Sequence, residues 1–189
     1  ADGLRRAGKR VLVIDSDSNN SLSDFYASRI KNDDIISKNL YNVIIQQKKF
    51  AEVIHKGSHG HDIVPCTPDL GEAEIKMLGR PAAILRMRNG LLELDYDYII
   101  IDTPPHLTYC TQAALYASDL VLSPVAPWRW IIQGMQLLTK EINAVGETLG
   151  KAPKHVAVPY MVSKADEDVI DKFLDQLKIP KTKTKIPRK

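Results

Sequence analysis

Val11-Leu12-Val13-Ile14 leads into Asp15-Ser16-Asp17, and Tyr98-Ile99-Ile100-Ile101 leads into Asp102-Thr103-Pro104-Pro105. Both runs are continuous rather than alternating and rich in β-branched residues. Strands buried on both faces of a parallel sheet read this way. Leu120-Val121-Leu122 is a third such run. Weaker strand candidates are Asp62-Ile63-Val64-Pro65, His155-Val156-Ala157-Val158 and Thr182 to Ile186.

Helical spacing lies between the runs. Ile131, Met135, Leu138, Ile142 and Val145 recur at steps of four and three, giving one apolar face. Val169, Phe173 and Leu177 repeat the pattern. Leu40, Val43, Ile44 and Phe50 suggest one or two short helices, and Asp69 is placed to cap a helix running through Glu72, Ile75 and Leu78. Strands alternating with helices predict right-handed βαβ crossovers. The expected fold is therefore α/β, a three-layer, doubly wound and mostly parallel sheet. No internal repeat, low-complexity linker or domain boundary interrupts residues 1–189, so a single domain is expected. Leu4 and Ala7 read as the end of a helix, with Gly8 as its C-terminal cap. A helix that feeds a parallel strand normally has a strand before it, which residues 1–189 do not contain.

The totals set the bounds. Residues AVILMFWYC make up 44% of the 189 and charged residues 26%, a globular composition with too few consecutive apolar residues for a membrane span. Ala1 to Arg10 is polar and basic and has no signal-peptide character. Cys66 and Cys110 form no CxxC pattern and read as reduced thiols of a cytosolic protein. The net charge of +3 identifies no partner by itself, but Lys178, Lys181, Lys183, Lys185, Arg188 and Lys189 form an acid-free basic tail.

In open α/β sheets, ligands bind beyond the carboxyl ends of the strands. An apolar strand ending in Asp is the Walker B arrangement, in which a rigid strand presents a carboxylate to Mg²⁺ or its waters beside nucleotide phosphates. One such end is weak evidence, because strands often finish in Asp at turns. Two in one short chain, one followed by Thr103-Pro104-Pro105, are more specific.

Gly8 to Asp17 resembles the segment after the first helix of the ParA/Soj/MinD ATPases, commonly GKKVLLIDLDPQ. Tyr96 to Pro105 resembles their YDYIIIDCPP, Ala113 to Val125 their NALTAADEVLIPV, Asp69 to Glu74 their DLAGAE and Ile186-Pro187-Arg188 their IPRN. The matches keep the family's order and rough spacing over nearly the whole chain, and ParA-type partition proteins fit best.

The resemblance implies catalytic roles for Asp17, which would position the attacking water, and Asp102, which would reach Mg²⁺ through water. It implies ATP and Mg²⁺ as cofactors. Asp15, Thr103 and Pro104 would border the nucleotide, Thr103 to Pro105 would begin the segment that senses the γ-phosphate, and Pro187 would belong to the adenine pocket. Lys183, Lys185, Arg188 and Lys189 would contact nonspecific DNA. The implied biology is a cytoplasmic, nucleoid-associated protein that partitions a plasmid or chromosome. It would form a homodimer on ATP and be stimulated by a centromere-bound ParB-like partner.

Residues 1–189 depart from the family in one decisive way. The family's phosphate loop, KGGVGKT/S, would precede Ala1, and no G-x-x-x-x-G-K-[ST] occurs within the chain. Without that loop's N–H groups, lysines and hydroxyl, nothing holds a triphosphate, so residues 1–189 alone are expected to be inactive. The loop's strand would be the central one of this fold, and its removal would expose both neighbours. The expectation is thus a piece of a longer ATPase, shortened at both ends, rather than a natural pseudo-ATPase. Ser18-Asn19 stands where Pro-Gln is usual, and His106 where Ser is common.

Two other functions fit parts of the pattern. A MinD-like membrane-associated ATPase needs a C-terminal amphipathic helix that residues 1–189 do not show. A ParA-like adaptor would keep the fold and lose nucleotide binding. An iron-protein-like reductase is disfavoured, because Cys110 has no companion arrangement for a cluster.

His55, His59 and His61 could suggest a metal site, but a glycine-containing loop explains them better. Trp128-Arg129-Trp130 suits a partner patch and the packing of a helix start about equally. Asp166, Glu167, Asp168 and Asp171 read as acids at a helix start. The lysines of the tail could equally decorate a solvated edge strand, and the resemblance tips the reading toward DNA.

Overall fold

The computed structural model describes residues 1–77, 80–163 and 166–187. The chain forms two compact units, Ala1–Ala117 and Ser118–Lys189.

In the first unit, α1 (Asp2–Arg6) stops where the sequence predicts. Gly8 takes a left-handed φ of 76°, and its N–H donates to the Arg5 carbonyl at 2.9 Å while that of Lys9 donates to the Leu4 carbonyl at 3.1 Å. This pair of bonds is the Schellman ending, which a residue with a Cβ adopts only with strain. There follow β1 (Val11–Asp15), α2 (Ser21–Tyr26), α3 (Asn32–Ser37), α4 (Leu40–Ile44) and a 3-10 turn at Phe50–Glu52. A short hairpin, β2 (His55–Lys56) and β3 (Asp62–Val64), precedes α5 (Leu70–Met77), α6 (Pro81–Leu92), β4 (Tyr98–Asp102) and α7 (Tyr109–Ala117). The strand order is β2-β3-β1-β4, with β1 parallel to both neighbours and β2 an antiparallel edge.

β1 is buried along its whole length. Leu12 and Ile14, both at 0% exposure, anchor a core with Phe50, Leu70, Met87 and Cys110. Each such side chain contributes about 1.5–3 kcal/mol through burial. β4 departs from the expectation of burial on both faces. Tyr98 is 45% exposed and Ile99 to Ile101 are only half-buried, because β4 ends the order of its sheet and has a neighbour on one side only.

The second unit contains β5 (Leu120–Val125), α8 (Arg129–Leu149), β6 (Lys154–Val162), α9 (Glu167–Gln176) and β7 (Ile186–Pro187), with parallel strands in the order β5-β6-β7. The predicted apolar face of α8 holds: Met135, Ile142 and Val145 are buried. The predicted face of α9 holds at Phe173 and at Leu177, which packs against the core, but not at Val169. Val169 is exposed, and Ile170, Phe173 and Leu174 pack into the core, the grouping a 3.6-residue period selects. The strand expected over Thr182 to Ile186 is split. Lys181 bridges Ala157, the Thr182 hydroxyl then donates to the Thr184 carbonyl at 2.7 Å in a local turn, and pairing resumes at Ile186. β5, like β4, ends its sheet, and Leu120 and Leu122 are about half exposed.

Both cysteines are buried free thiols. Among the described residues, no helix is long and apolar enough to cross a membrane.

Candidate functional site

The carboxyl ends of β1 and β4 lie side by side, with Asp15 in register with Asp102. Beyond them Ser16 ties the two ends together. Its N–H and its hydroxyl both donate to the Asp102 carbonyl, at 2.9 and 2.6 Å. The chain then turns, and Asp17 leaves the strand. Its carbonyl accepts the Asn20 N–H at 2.8 Å and the Cys66 thiol at 2.8 Å, and its Oδ1 accepts the Asn19 N–H at 3.0 Å. The backbone at Asp17 is thereby pinned from β3's side as well as from its own loop.

Asp15 and Asp17 differ sharply. Asp15 is completely buried, and its Oδ2 accepts both the N–H and the hydroxyl of Ser23, each at 2.7 Å. Its Oδ1 accepts the Asp17 N–H at 3.2 Å. The Ser23 hydroxyl in turn accepts the Cys66 N–H at 2.9 Å. Asp15 thus knots the ends of β1 and β3 to the start of α2, and its oxygens are engaged inside the protein. Burial pushes its carboxyl above the usual range, against the opposing pull of the Ser23 hydrogen bonds. Asp102 is also pushed up, first by partial desolvation and then by the negative charges of Asp15 and Asp17.

A cleft of about 150 Å³ opens above these strand ends. Asp17, Ser18 and Asn19 form one wall, Leu70 and Glu74 of α5 another, and Pro104, Pro105, His106 and Thr108 the third. Asp15, Asp17, Asp102, Thr103 and Pro104 therefore come together around the end of one strand pair, with Asp15 beneath the surface. Pro187 lies on β7 of the second unit. Lys183 is exposed just before it, while Lys185 is held by Glu167 at 2.7 Å. Arg188 and Lys189 lie outside the described residues. The histidine segment is only in part the expected surface loop: His55 lies on β2 and bonds the Lys38 carbonyl, His59 lies in the hairpin turn, and His61 is buried beside Tyr26. Glu167 and Asp168 occupy the first turn of α9, the helix-start position read from the sequence.

Asp102, partly desolvated at a strand end beside the negative charges of Asp15 and Asp17, stands in a setting suited to a divalent cation. Among the described residues, no group of three side chains is placed to hold a metal ion together. Mg²⁺, which keeps several waters and shares its coordination with phosphates, fits such a partial set.

The parallel strand pairs and their acidic carboxyl ends define an α/β protein whose ligand edge lies beyond β1 and β4. A family profile described as an AAA domain matches residues 1–154. The chromosome partitioning protein ParA of Myxococcus xanthus is 33% identical over 152 residues, covering 79% of this chain and 53% of that protein. The sporulation initiation inhibitor protein Soj of Bacillus subtilis is 30% identical over 150 residues, covering 77% and 58%. The chain spans little more than half the length of these relatives. Among solved structures, cobyrinic acid a,c-diamide synthase from Mycobacterium smegmatis, with bound ATP analogue and magnesium, matches with a TM-score of 0.83 at 24% identity, over 98% of this chain and 78% of that one. A plasmid partition protein from Borrelia burgdorferi matches with a TM-score of 0.74 at 21% identity, over 92% and 75%. At such identities the structural likeness speaks for the fold alone. The chain belongs to the AAA-domain family of ParA/MinD-type P-loop ATPases.

Proposed function

We propose that this chain is the body of an ATP-dependent DNA-partitioning ATPase, completed by a phosphate-binding loop supplied from outside residues 1–189. The observation that carries the reading is the pairing of two acidic strand ends: Asp102 lies in register with Asp15 at the carboxyl end of the adjacent parallel strand, within electrostatic reach of Asp17, which lines the cleft above them. The open edges support it. β4 and β5, each taken by itself, have a parallel neighbour on one side and exposed apolar residues, the condition of a strand that lacks a partner.

With ATP bound, Asp102 would hold Mg²⁺ through water and Asp17 would orient the water that attacks the γ-phosphate. Catalysis of this kind is positioning and electrostatics rather than covalent chemistry. Thr103 to Pro105 would sense the γ-phosphate, and Pro187 would border the adenine. Asp15 would act through Asp17, by holding its backbone. Two copies would associate on ATP and bind nonspecific DNA, and a ParB-like protein bound at a centromere would stimulate hydrolysis. Lys183 would carry more of the DNA contact than Lys185, which Glu167 already neutralises. The cytoplasmic, nucleoid-associated location belongs to the same proposal.

The DNA claim has a direct test. In the loop-complete protein, duplex binding measured by fluorescence anisotropy is expected only with ATP and Mg²⁺, and to weaken steeply with salt. Lys183→Ala is expected to lower the salt slope by about one unit, as the loss of one phosphate contact does. Binding of equal strength without nucleotide, or none with it, would contradict the proposal.

A further inference from the structure

Helix α7 begins directly behind the cleft wall formed by Pro104 to Thr108, and its first turn is capped in an unusual way. The Glu74 carboxylate, 35 residues away on α5, accepts the Tyr109 N–H on Oε2 at 2.5 Å, and on Oε1 the Cys110 N–H at 3.1 Å. The Thr111 N–H goes to the Thr108 hydroxyl at 3.3 Å, and that of Gln112 to the Thr108 carbonyl at 3.0 Å. The Thr111 hydroxyl donates to the His106 carbonyl at 2.7 Å, so the cleft wall is stitched to the same turn. All four leading N–H groups of α7 are therefore satisfied within the protein. The positive end of the helix, a place that favours an anion, is filled by a tethered carboxylate. Glu74 also presses on its surroundings electrostatically: burial pushes the Cys110 thiol up, and the Glu74 charge pushes it further. Glu74 itself lines the cleft.

We propose that Glu74 is the positioning residue of the Thr103–Thr108 wall, a built-in anion that clamps the start of α7 and so fixes where that wall stands. Its catalytic consequence rests on the proposed reading of Thr103 to Pro105 as the start of the phosphate-sensing segment. The clamp itself does not, and is tested without nucleotide. A carboxylate accepting two backbone N–H groups forms charge-assisted bonds, stronger and more directional than those of a neutral amide. Glu74→Gln keeps the volume but turns an NH₂ toward one of the two donors. Glu74→Ala vacates the helix end.

Amide exchange read residue by residue by NMR on the chain tests the clamp. Glu74→Ala is expected to speed exchange at Tyr109 and Cys110 by about tenfold or more relative to Val11–Ile14, whose amides report whether the unit is folded. Formate is expected to restore most of the protection, and chloride at equal ionic strength is not. Glu74→Gln is expected to fall between wild type and Glu74→Ala. Unchanged exchange in both variants would overturn the proposal. So would lost protection that formate does not rescue, because Glu74 would then only pack α5 against α7. In the loop-complete protein, Glu74→Gln is expected to lower kcat about tenfold at unchanged KM for ATP, as the loss of a transition-state interaction does. If exchange responds as described while no ATP turns over in wild type, the clamp stands and the ATPase reading falls.

Discussion

In the protein completed with a phosphate loop, Asp17→Ala is expected to lower kcat for ATP by about 10²–10³-fold, with ATP affinity changed less than about threefold. The geometry separates the two effects. Asp17 has its backbone fixed by Asn20 and Cys66 and its Oδ1 engaged by Asn19, and the residue lines the cleft. In the proposed mechanism a group so placed would act on the attacking water rather than on the ground-state nucleotide. Steady-state kinetics with a separate measurement of nucleotide binding checks this. A loss expressed mainly in affinity would assign Asp17 to nucleotide or metal binding instead.

Asp15→Ala is expected to lower Tm by about 5–15 °C, because it leaves the Ser23 and Asp17 N–H groups without an acceptor in a buried place, at a cost of about 2–4 kcal/mol. Asp15→Asn is expected to cost less. Burial raises the Asp15 carboxyl above its unfolded value. A group raised in this way contributes stability below its unfolded pKa, and that contribution is lost as pH rises through the folded value. Asparagine removes the cost of burying a negative charge and keeps one acceptor oxygen for Ser23, but turns its NH₂ toward the Asp17 N–H. Asp15→Asn is expected to lose less stability than Asp15→Ala at pH 7, and to fall further behind wild type toward about pH 3–4, where unfolded Asp protonates. Melting curves at both pH values decide it. An asparagine variant destabilised as much as the alanine one would show that the negative charge itself holds the knot.

The strands of the site were legible because Val11–Ile14 and Tyr98–Ile101 are apolar without interruption, and the acids that end them fall where an α/β sheet places ligands. The face of α8 was legible for the same reason of strict period. Helix α6 was not foreseen. Ala83, Met87 and Leu91 repeat at steps of four, but Pro81 and Gly90 flank them as turn residues would. Pro81 opens the helix, and Gly90 is small because a Cβ there would stand 2.7 Å from the Phe50 ring. The separate fates of Asp15 and Asp17 were hidden as well. Two acids spaced by two share a face while a strand continues, but β1 ends at Asp15 and the turn at Ser16 re-aims Asp17 into the cleft. The cap from Glu74 had a sequence signal only in the Asp69–Glu74 match, since a carboxylate 35 residues from its helix follows no local rule.

Mg²⁺-dependent ATP turnover by this chain, extended at its N-terminus with the strand, KGGVGKT-type loop and helix start of a ParA-type relative, tests the central claim most directly. The account predicts slow hydrolysis that requires Mg²⁺ and disappears in Asp17→Ala. An extended protein that melts cooperatively yet neither binds nor hydrolyses ATP would contradict it, and would leave the chain a ParA-like scaffold without nucleotide chemistry.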